Sequence, residues 1–360
     1  MRNMPAFRSE AEFLAWVERR TRRRAVGLRL GIGDDAALVE VPPGHELILT
    51  ADMSIEGVHF KAGLHPPQAV GHRALARSLS DIAAMGGTPR YALISLALAE
   101  HAPRAWLEGF FDGLVSLAQR FGVTVIGGDT ALVRAPTLID VVVAGEVPCG
   151  QALRRSGARP GDLIYVSGCL GLAALGLRLL QSASRRRTFI GSAQRRRRAS
   201  GEAAALQAHL YPQPQCALGR FLSERGLATA LMDLSDGLSL DLKRLCHASR
   251  AGARVFAERI PIPSPEPNRT ADAQKLSRSA GAPPLSGTAD ALALALHGGE
   301  DYQLLFTVPR ARQAEVPARF GKIPLHMIGE IQAARRIQLI TPDGKPHPLE
   351  PRGYDHFARR

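Results

Sequence analysis

A chain of 360 residues, 45% of them hydrophobic, is too long for one ordinary compact core and long enough to fill two. Nothing in it approaches the roughly 18 to 20 consecutive apolar residues of a membrane span, and Met1 to Glu10 lacks a signal-peptide core, so the expected compartment is the cytoplasm with no membrane partner. The net charge of +13 is concentrated in two arginine runs, Arg19 to Arg24 and Arg185 to Arg198; with aromatics at 5%, base-stacking platforms are scarce and nucleic acid is not an expected partner.

Ser9-Glu10-Ala11-Glu12 has the form of a capping box and opens an amphipathic helix carrying Phe13, Leu14 and Val17. Residues 46–52 and 91–99 read as apolar strands on either side of a helix from about Gln68 to Met85, which Gly86-Gly87 terminates. A further helix begins near Pro103 and stops at Gly122, followed by the β-rich runs Val123 to Ile126 and Leu138 to Ala144. The first 150 residues therefore alternate strands and helices as one α/β unit. Arg155 to Asp162 is a turn-rich joint, after which Leu163 to Ser167 starts a second unit; the expected domains are 1–150 and 151–360. Residues 182–200, with arginines among small polar residues, read as a disordered insertion, and the Pro-, Ser- and Ala-rich 261–290 as a long surface loop.

Carboxylates recur beside glycines along this framework: Gly31-Ile32-Gly33-Asp34-Asp35, Thr50-Ala51-Asp52, Ser80-Asp81, Gly127-Gly128-Asp129-Thr130, Asp233-Leu234-Ser235-Asp236-Gly237 and Gly298-Gly299-Glu300-Asp301. Gathered by the fold, so many acids would repel one another unless a hard cation lay among them, and Mg²⁺ shared with substrate phosphates is the natural counterion. Gly31 to Ala36 resembles a dinucleotide fingerprint, but two aspartates there would repel a naked pyrophosphate, so NAD is rejected. Asp52 ends a strand, with Thr50 on the same face; Asp81 sits near a helix C-terminus, where the macrodipole disfavours it and either Arg77 or a cation compensates. Gly127-Gly128 allows close backbone approach to a ligand, with a hairpin turn as the alternative account. Either Ser235 or Asp236 fits the N-cap of the helix Leu238 to Leu245, but not both. There is no Gly-x-x-x-x-Gly-Lys-Ser/Thr loop, no nucleophile elbow and no zinc helix, and Cys149, Cys169, Cys216 and Cys246 form no Cys-x-x-Cys pair.

In this order, and together with Glu56-Gly57-Val58-His59-Phe60 and the C-terminal Gly353-Tyr354-Asp355-His356-Phe357, the motifs resemble the thiamine-monophosphate kinase family of the AIR-synthase-like ATP-binding superfamily over nearly the whole chain. The resemblance implies an α/β (α+β), PurM-like protein of two domains, the N-terminal mixed-sheet domain forming a homodimer. It implies phosphoryl transfer from ATP, the co-substrate, to thiamine monophosphate, assisted by several Mg²⁺ ions. By the same likeness Asp35, Thr50, Asp52, Asp81, Asp129, Asp233 and Asp236 would bind Mg²⁺; Gly128, Asp129, Arg155 and Ser235 would hold ATP; and His59, Glu300 and Tyr354 would contact the thiamine phosphate. No nucleophile is expected, since such transfer needs mainly alignment and charge neutralisation. Sister activities of the superfamily are the alternative: selenophosphate synthesis, AIR synthesis or hydrogenase maturation. The usual selenophosphate synthetase has a reactive Cys near its N-terminus and the maturation protein a terminal Cys, whereas this chain has its first at Cys149 and ends in Arg360. A basic RNA-binding scaffold is the rival from another class.

Overall fold

The computed structural model describes residue 7 and residues 9–185, 195–263 and 288–353. Two compact units emerge, one comprising residues up to Ala152 together with Gln213–Glu224, the other Leu153–Pro212 and the residues from Arg225 onward.

The first unit begins with α1 (Glu10–Thr21), whose N-cap Ser9 accepts the Glu12 N–H at 3.2 Å, as the capping pattern predicts. A short hairpin, β1 (Leu28–Leu30) with β2 (Leu38–Val39), precedes β3 (His45–Ile55), α2 (Pro67–Ala84), β4 (Thr88–Ala99), α3 (Arg104–Phe121), β5 (Thr124–Val133) and β6 (Leu138–Pro148). The last four strands form one sheet in the order β3-β6-β4-β5, parallel only between β4 and β5. Alternation in β3 decides its two faces: Ile48 and Ser54 are buried on the side where α2 packs, while Leu47, Leu49 and Met53 point outward. Helices α2 and α3 approach closely because glycine leaves room at both contact points. A Cβ on Gly71 would lie 1.9 Å from the Phe110 carbonyl oxygen, and one on Gly113 1.9 Å from that of Gln68. Leu75, Leu79, Ile82, Phe110, Phe111 and Leu114 fill the space beneath.

The second unit carries β7 (Leu163–Ser167), α4 (Leu172–Arg185) and α5 (Arg195–Leu210). The next helix, α6 (Cys216–Glu224), returns to the first unit and packs on α2, where Gly219 meets the Ala83 carbonyl; the sequence reading had left it in the second domain. The chain continues through β8 (Ala230–Asp233), α7 (Leu238–Ala248), β9 (Gly252–Phe256), α8 (Thr288–His297), β10 (Leu304–Val308), β11 (Arg319–Phe320), β12 (Ile323–Gln332), β13 (Ile337–Ile340) and β14 (Pro346–Pro348). These build an eight-stranded sheet, β14-β13-β9-β12-β7-β10-β8 with β11 beside β12, around a core that includes Ile164, Val166, Met232, Leu242, Leu305 and Ile328.

One expectation changes and one alternative is removed. Disorder over 182–200 does not describe its ends, which are helical to Arg185 and again from Arg195; residues 186–194 lie outside the described residues, as do 264–287 of the long loop. Gly127 to Thr130 do not form a hairpin turn; they lie inside β5, paired in parallel with Leu93 to Leu96 of β4. Among the described residues no helix is long and apolar enough to cross a membrane.

Candidate functional site

In the first unit, strand alternation puts Thr50 and Asp52 on the same side of β3, facing α2. The Thr50 hydroxyl donates to the Asp81 carboxylate, and Ser78, one turn earlier on α2, lies 3.0 Å from Asp52 Oδ2. Arg77 Nε approaches Asp52 Oδ1 at 3.9 Å, so this arginine pairs with Asp52, and the hydroxyl of Thr50 meets Asp81. Thr50, Asp52, Ser78 and Asp81 thus line a half-buried seam of oxygen donors between β3 and α2. His59, in the β3–α2 connection, accepts the Ile55 N–H on Nδ1 at 3.0 Å, and its carbonyl accepts from Arg73 Nη2 at 3.2 Å.

Asp129 is elsewhere in the unit. It lies on β5, the edge strand opposite β3, in the cross-strand row Met53, Asp140, Ser95, Asp129. Asp52 belongs to the next row, with Val141, Ile94 and Gly128, so the two aspartates project from opposite faces. Three strand spacings separate them, about 14 Å. Gly128 has φ +150°, and a Cβ there would lie 1.9 Å from the Ile94 carbonyl oxygen, so only glycine fits between the paired strands. The exposed Asp129 accepts the Thr130 N–H at 2.8 Å, and the exposed Asp35 donates its own N–H to Asp34 at the same distance. Among the described residues no three His, Cys, Asp or Glu side chains stand together as a ready-made metal cage.

In the second unit two glycine–acid motifs, far apart in sequence, clasp each other. Asp233 is buried at the end of β8, opposite Leu304. The chain after it runs past residues 298–302, the Glu300 N–H donating to the Ser235 carbonyl at 2.8 Å and the Tyr302 N–H to that of Leu234 at 2.9 Å. Gly299 permits the approach, since a Cβ there would lie 2.4 Å from the Ser235 oxygen. Glu300 and Tyr302 accept left-handed φ values of +66° and +48°, a strain the surrounding bonds hold. Arg155 is exposed in the joint before β7, its carbonyl accepting from Ser249 Oγ at 3.1 Å. Tyr354 lies outside the described residues.

Sequence reasoning missed the residues that hold this clasp. Asp241 Oδ2 accepts the N–H groups of Ser235, Asp236 and Gly237 at 3.1, 3.0 and 3.1 Å, and its Oδ1 takes Arg244 Nη1 at 2.8 Å. Burial pushes the Asp241 carboxyl up to about 6 against the lowering effect of those bonds. Arg244 also bonds Asp236 Oδ2 at 2.5 Å, so Asp236 is presented by an arginine rather than standing free. Asp301 is buried and accepts the N–H groups of Gly171 and Ala173 at 2.6 and 3.2 Å, fastening the start of α4; burial pushes its carboxyl up to about 7. The spacing of Asp241 and Arg244 at i,i+3 on one helix face was the available signal for that pair.

Both halves are domains of one class. Residues 33–147 match the AIR synthase related protein N-terminal domain and residues 159–341 its C-terminal domain, so the chain is an AIR synthase related protein. It is 37% identical over 341 residues to thiamine-monophosphate kinase of Escherichia coli K12, spanning 94% of this chain and 95% of that one. A crystal structure of thiamine-monophosphate kinase from Stenotrophomonas maltophilia superposes with a TM-score of 0.75 at 34% identity, covering 94% of this chain and 98% of that one. A structure of AaThiL complexed with AMPPCP and TMP does so with a TM-score of 0.69 at 30% identity, covering 97% of each. The chain belongs to the thiamine-monophosphate kinase family.

Proposed function

We infer that the protein transfers the γ-phosphoryl group of ATP to the phosphate of thiamine monophosphate, giving thiamine diphosphate and ADP. The observation that carries this reading is the likeness over 97% of the chain to a structure complexed with AMPPCP and TMP. The β3–α2 seam supports it chemically: Thr50, Asp52 and Asp81 offer only hard oxygen donors, the donor chemistry that suits Mg²⁺. Bound there, Mg²⁺ would neutralise charge on the phosphates during transfer. Asp35, Asp129, Asp233 and Asp236 are read as its further ligands. Gly128, Arg155 and Ser235 hold ATP in this reading, and His59, Glu300 and Tyr354 face the acceptor.

The separation of Asp129 from Asp52 bears on assembly. The outward face of the four-stranded sheet exposes Leu47, Leu49, Met53 and Leu93, with Leu49 64% accessible, an apolar surface suited to a second copy of the same sheet. A homodimer through this face, with the β5 edge of one protomer beside the β3 edge of the other, would bring the strand that carries Asp129 alongside the strand that carries Asp52 in the partner subunit.

Incubation with ATP, Mg²⁺ and thiamine monophosphate, followed by chromatography, should yield thiamine diphosphate, and Asp52→Asn should lose most of that turnover. No product from the unmodified protein, or undiminished product from Asp52→Asn, refutes the reading. Asp52→Asn and Asp129→Asn proteins, each inactive, should regain activity when co-refolded if Asp129 serves the partner's site. Continued inactivity of a verified mixed dimer would put both residues in one protomer's site.

A further inference from the structure

The helical pair α4 and α5 runs antiparallel and is locked at Gly176, where a Cβ would lie 2.0 Å from the Ala205 carbonyl and 2.8 Å from His209 Cβ. The end of the pair away from residues 186–194 grips the strained 298–302 segment twice. The start of α4 gives its Gly171 and Ala173 N–H groups to Asp301, and the last turn of α5 brings His209 Nδ1 to 3.6 Å from Glu300 Oε2. The two partners differ in exposure: the His209 side chain is 1% accessible and that of Glu300 27%. The imidazole therefore backs the carboxylate from the interior while the carboxylate keeps an open side. A non-glycine residue at φ +66° needs such bracing, because its backbone has no intrinsic preference for that conformation.

We propose that His209 is a positioning residue for acceptor recognition: it holds the orientation of Glu300 so that the open side of the carboxylate meets the cationic thiazolium and amino groups of the thiamine moiety. This rests on the reading that Glu300 faces the acceptor. Removing the imidazole takes away one of the contacts that orient the carboxylate on this strained loop, and each misplaced population weakens binding of the acceptor without affecting the nucleotide. Asp301, anchored to α4, keeps the backbone in place when the imidazole is removed, so the effect is confined to the Glu300 side chain.

Steady-state kinetics with both substrates varied test this. His209→Ala should raise KM for thiamine monophosphate about tenfold, equal to about 1.4 kcal/mol, with KM for ATP and kcat unchanged within about twofold. His209→Asn, whose amide nitrogen falls near the position of Nδ1, should restore most of the affinity. In a Glu300→Gln background, itself impaired for the acceptor, His209→Ala should add nothing further. An acceptor KM unmoved by His209→Ala while Glu300→Gln raises it overturns the role of His209 and leaves the reading of Glu300 intact. Equal rises in both KM values with a lowered Tm, not restored by His209→Asn, identify a packing residue and also overturn it. An acceptor KM insensitive to Glu300→Gln removes the reading on which the proposal rests.

Discussion

Asp301→Asn tests whether the acids that brace the second unit are held against their ordinary ionisation. The carboxyl is buried at the start of α4, with Oδ2 accepting the Gly171 N–H at 2.6 Å and Oδ1 the Ala173 N–H at 3.2 Å. An amide has one acceptor oxygen, so one of these N–H groups faces an NH₂ instead and goes unsatisfied, costing about 1–3 kcal/mol. Against this stands the raised ionisation: burial moves the Asp301 pKa from 3.8 to about 7, despite the two N–H bonds that favour the charge. A folded pKa above the unfolded one means that the native state binds the extra proton, so stability is fully present below about pH 4 and is lost as pH rises through about 7. Roughly three pKa units correspond to about 4 kcal/mol. The amide does not titrate. The wild type should therefore exceed Asp301→Asn by up to about 1–3 kcal/mol at pH 4, and the difference should shrink or reverse by pH 8. Urea unfolding followed by far-UV circular dichroism at both pH values reads it. Both tryptophans, Trp16 and Trp106, belong to the first unit, so their fluorescence serves as an internal control. A difference that stays constant or grows with pH would show that the helix N-terminus and its N–H groups outweigh burial, and the argument would fall.

Gly128→Ala should destabilise the first unit by about 1–3 kcal/mol, since the new methyl must displace the paired β4 backbone. The matched substitution Gly63→Ala, with no atom within 4 Å of the new Cβ, should be neutral, and tryptophan-monitored unfolding compares the two. Phe110→Ala should cost about 3–5 kcal/mol, read as a lower urea midpoint with unchanged slope. The ring is fully buried, stacks on Trp106 at 5.6 Å and meets Phe111 edge-on at 5.3 Å, so the cavity it leaves cannot collapse without separating α2 from α3.

Local signals in the sequence were legible because their causes are local. Ser9 caps α1, Gly122 ends α3 at φ +68°, and the apolar run in residues 46–52 forms β3. Where the reading went astray, the cause lay far along the chain. Gly127-Gly128 left a hairpin turn open as an alternative, which β4 removes by supplying a parallel partner that keeps the glycines extended within β5. Helix α6 follows the second unit in sequence but joins the first, because Gly219 gives it a seat on the Ala83 carbonyl that no local pattern announces. Asp81 also meets the Thr50 hydroxyl of β3 across the sheet–helix interface, a contact that no local pattern announces.

The same distinction separates acids that hold the fold from acids whose partners a cation can displace. Sequence pattern marks both alike, as a carboxylate beside glycine, but their partners differ. Asp241 and Asp301 spend their oxygens on backbone N–H groups, five between them, and are buried; moving either would undo a loop, so neither is available to a substrate. Asp52 and Asp81 meet hydroxyl groups on rigid elements, with Arg77 Nε a further 3.9 Å from Asp52, and a hard cation displaces a hydroxyl at small cost because it rotates to accept where it had donated. Asp236 falls between these classes, its backbone fastened through Asp241 and its carboxylate held by Arg244. A divalent cation at Asp236 must therefore displace a guanidinium bonded at 2.5 Å, whereas at the β3–α2 seam the Arg77 Nε lies 3.9 Å from Asp52 and the hydroxyls can turn to accept. Occupancy at the seam should accordingly precede occupancy at Asp236 as Mg²⁺ is raised, the order that the separation of ligand acids from bracing acids requires.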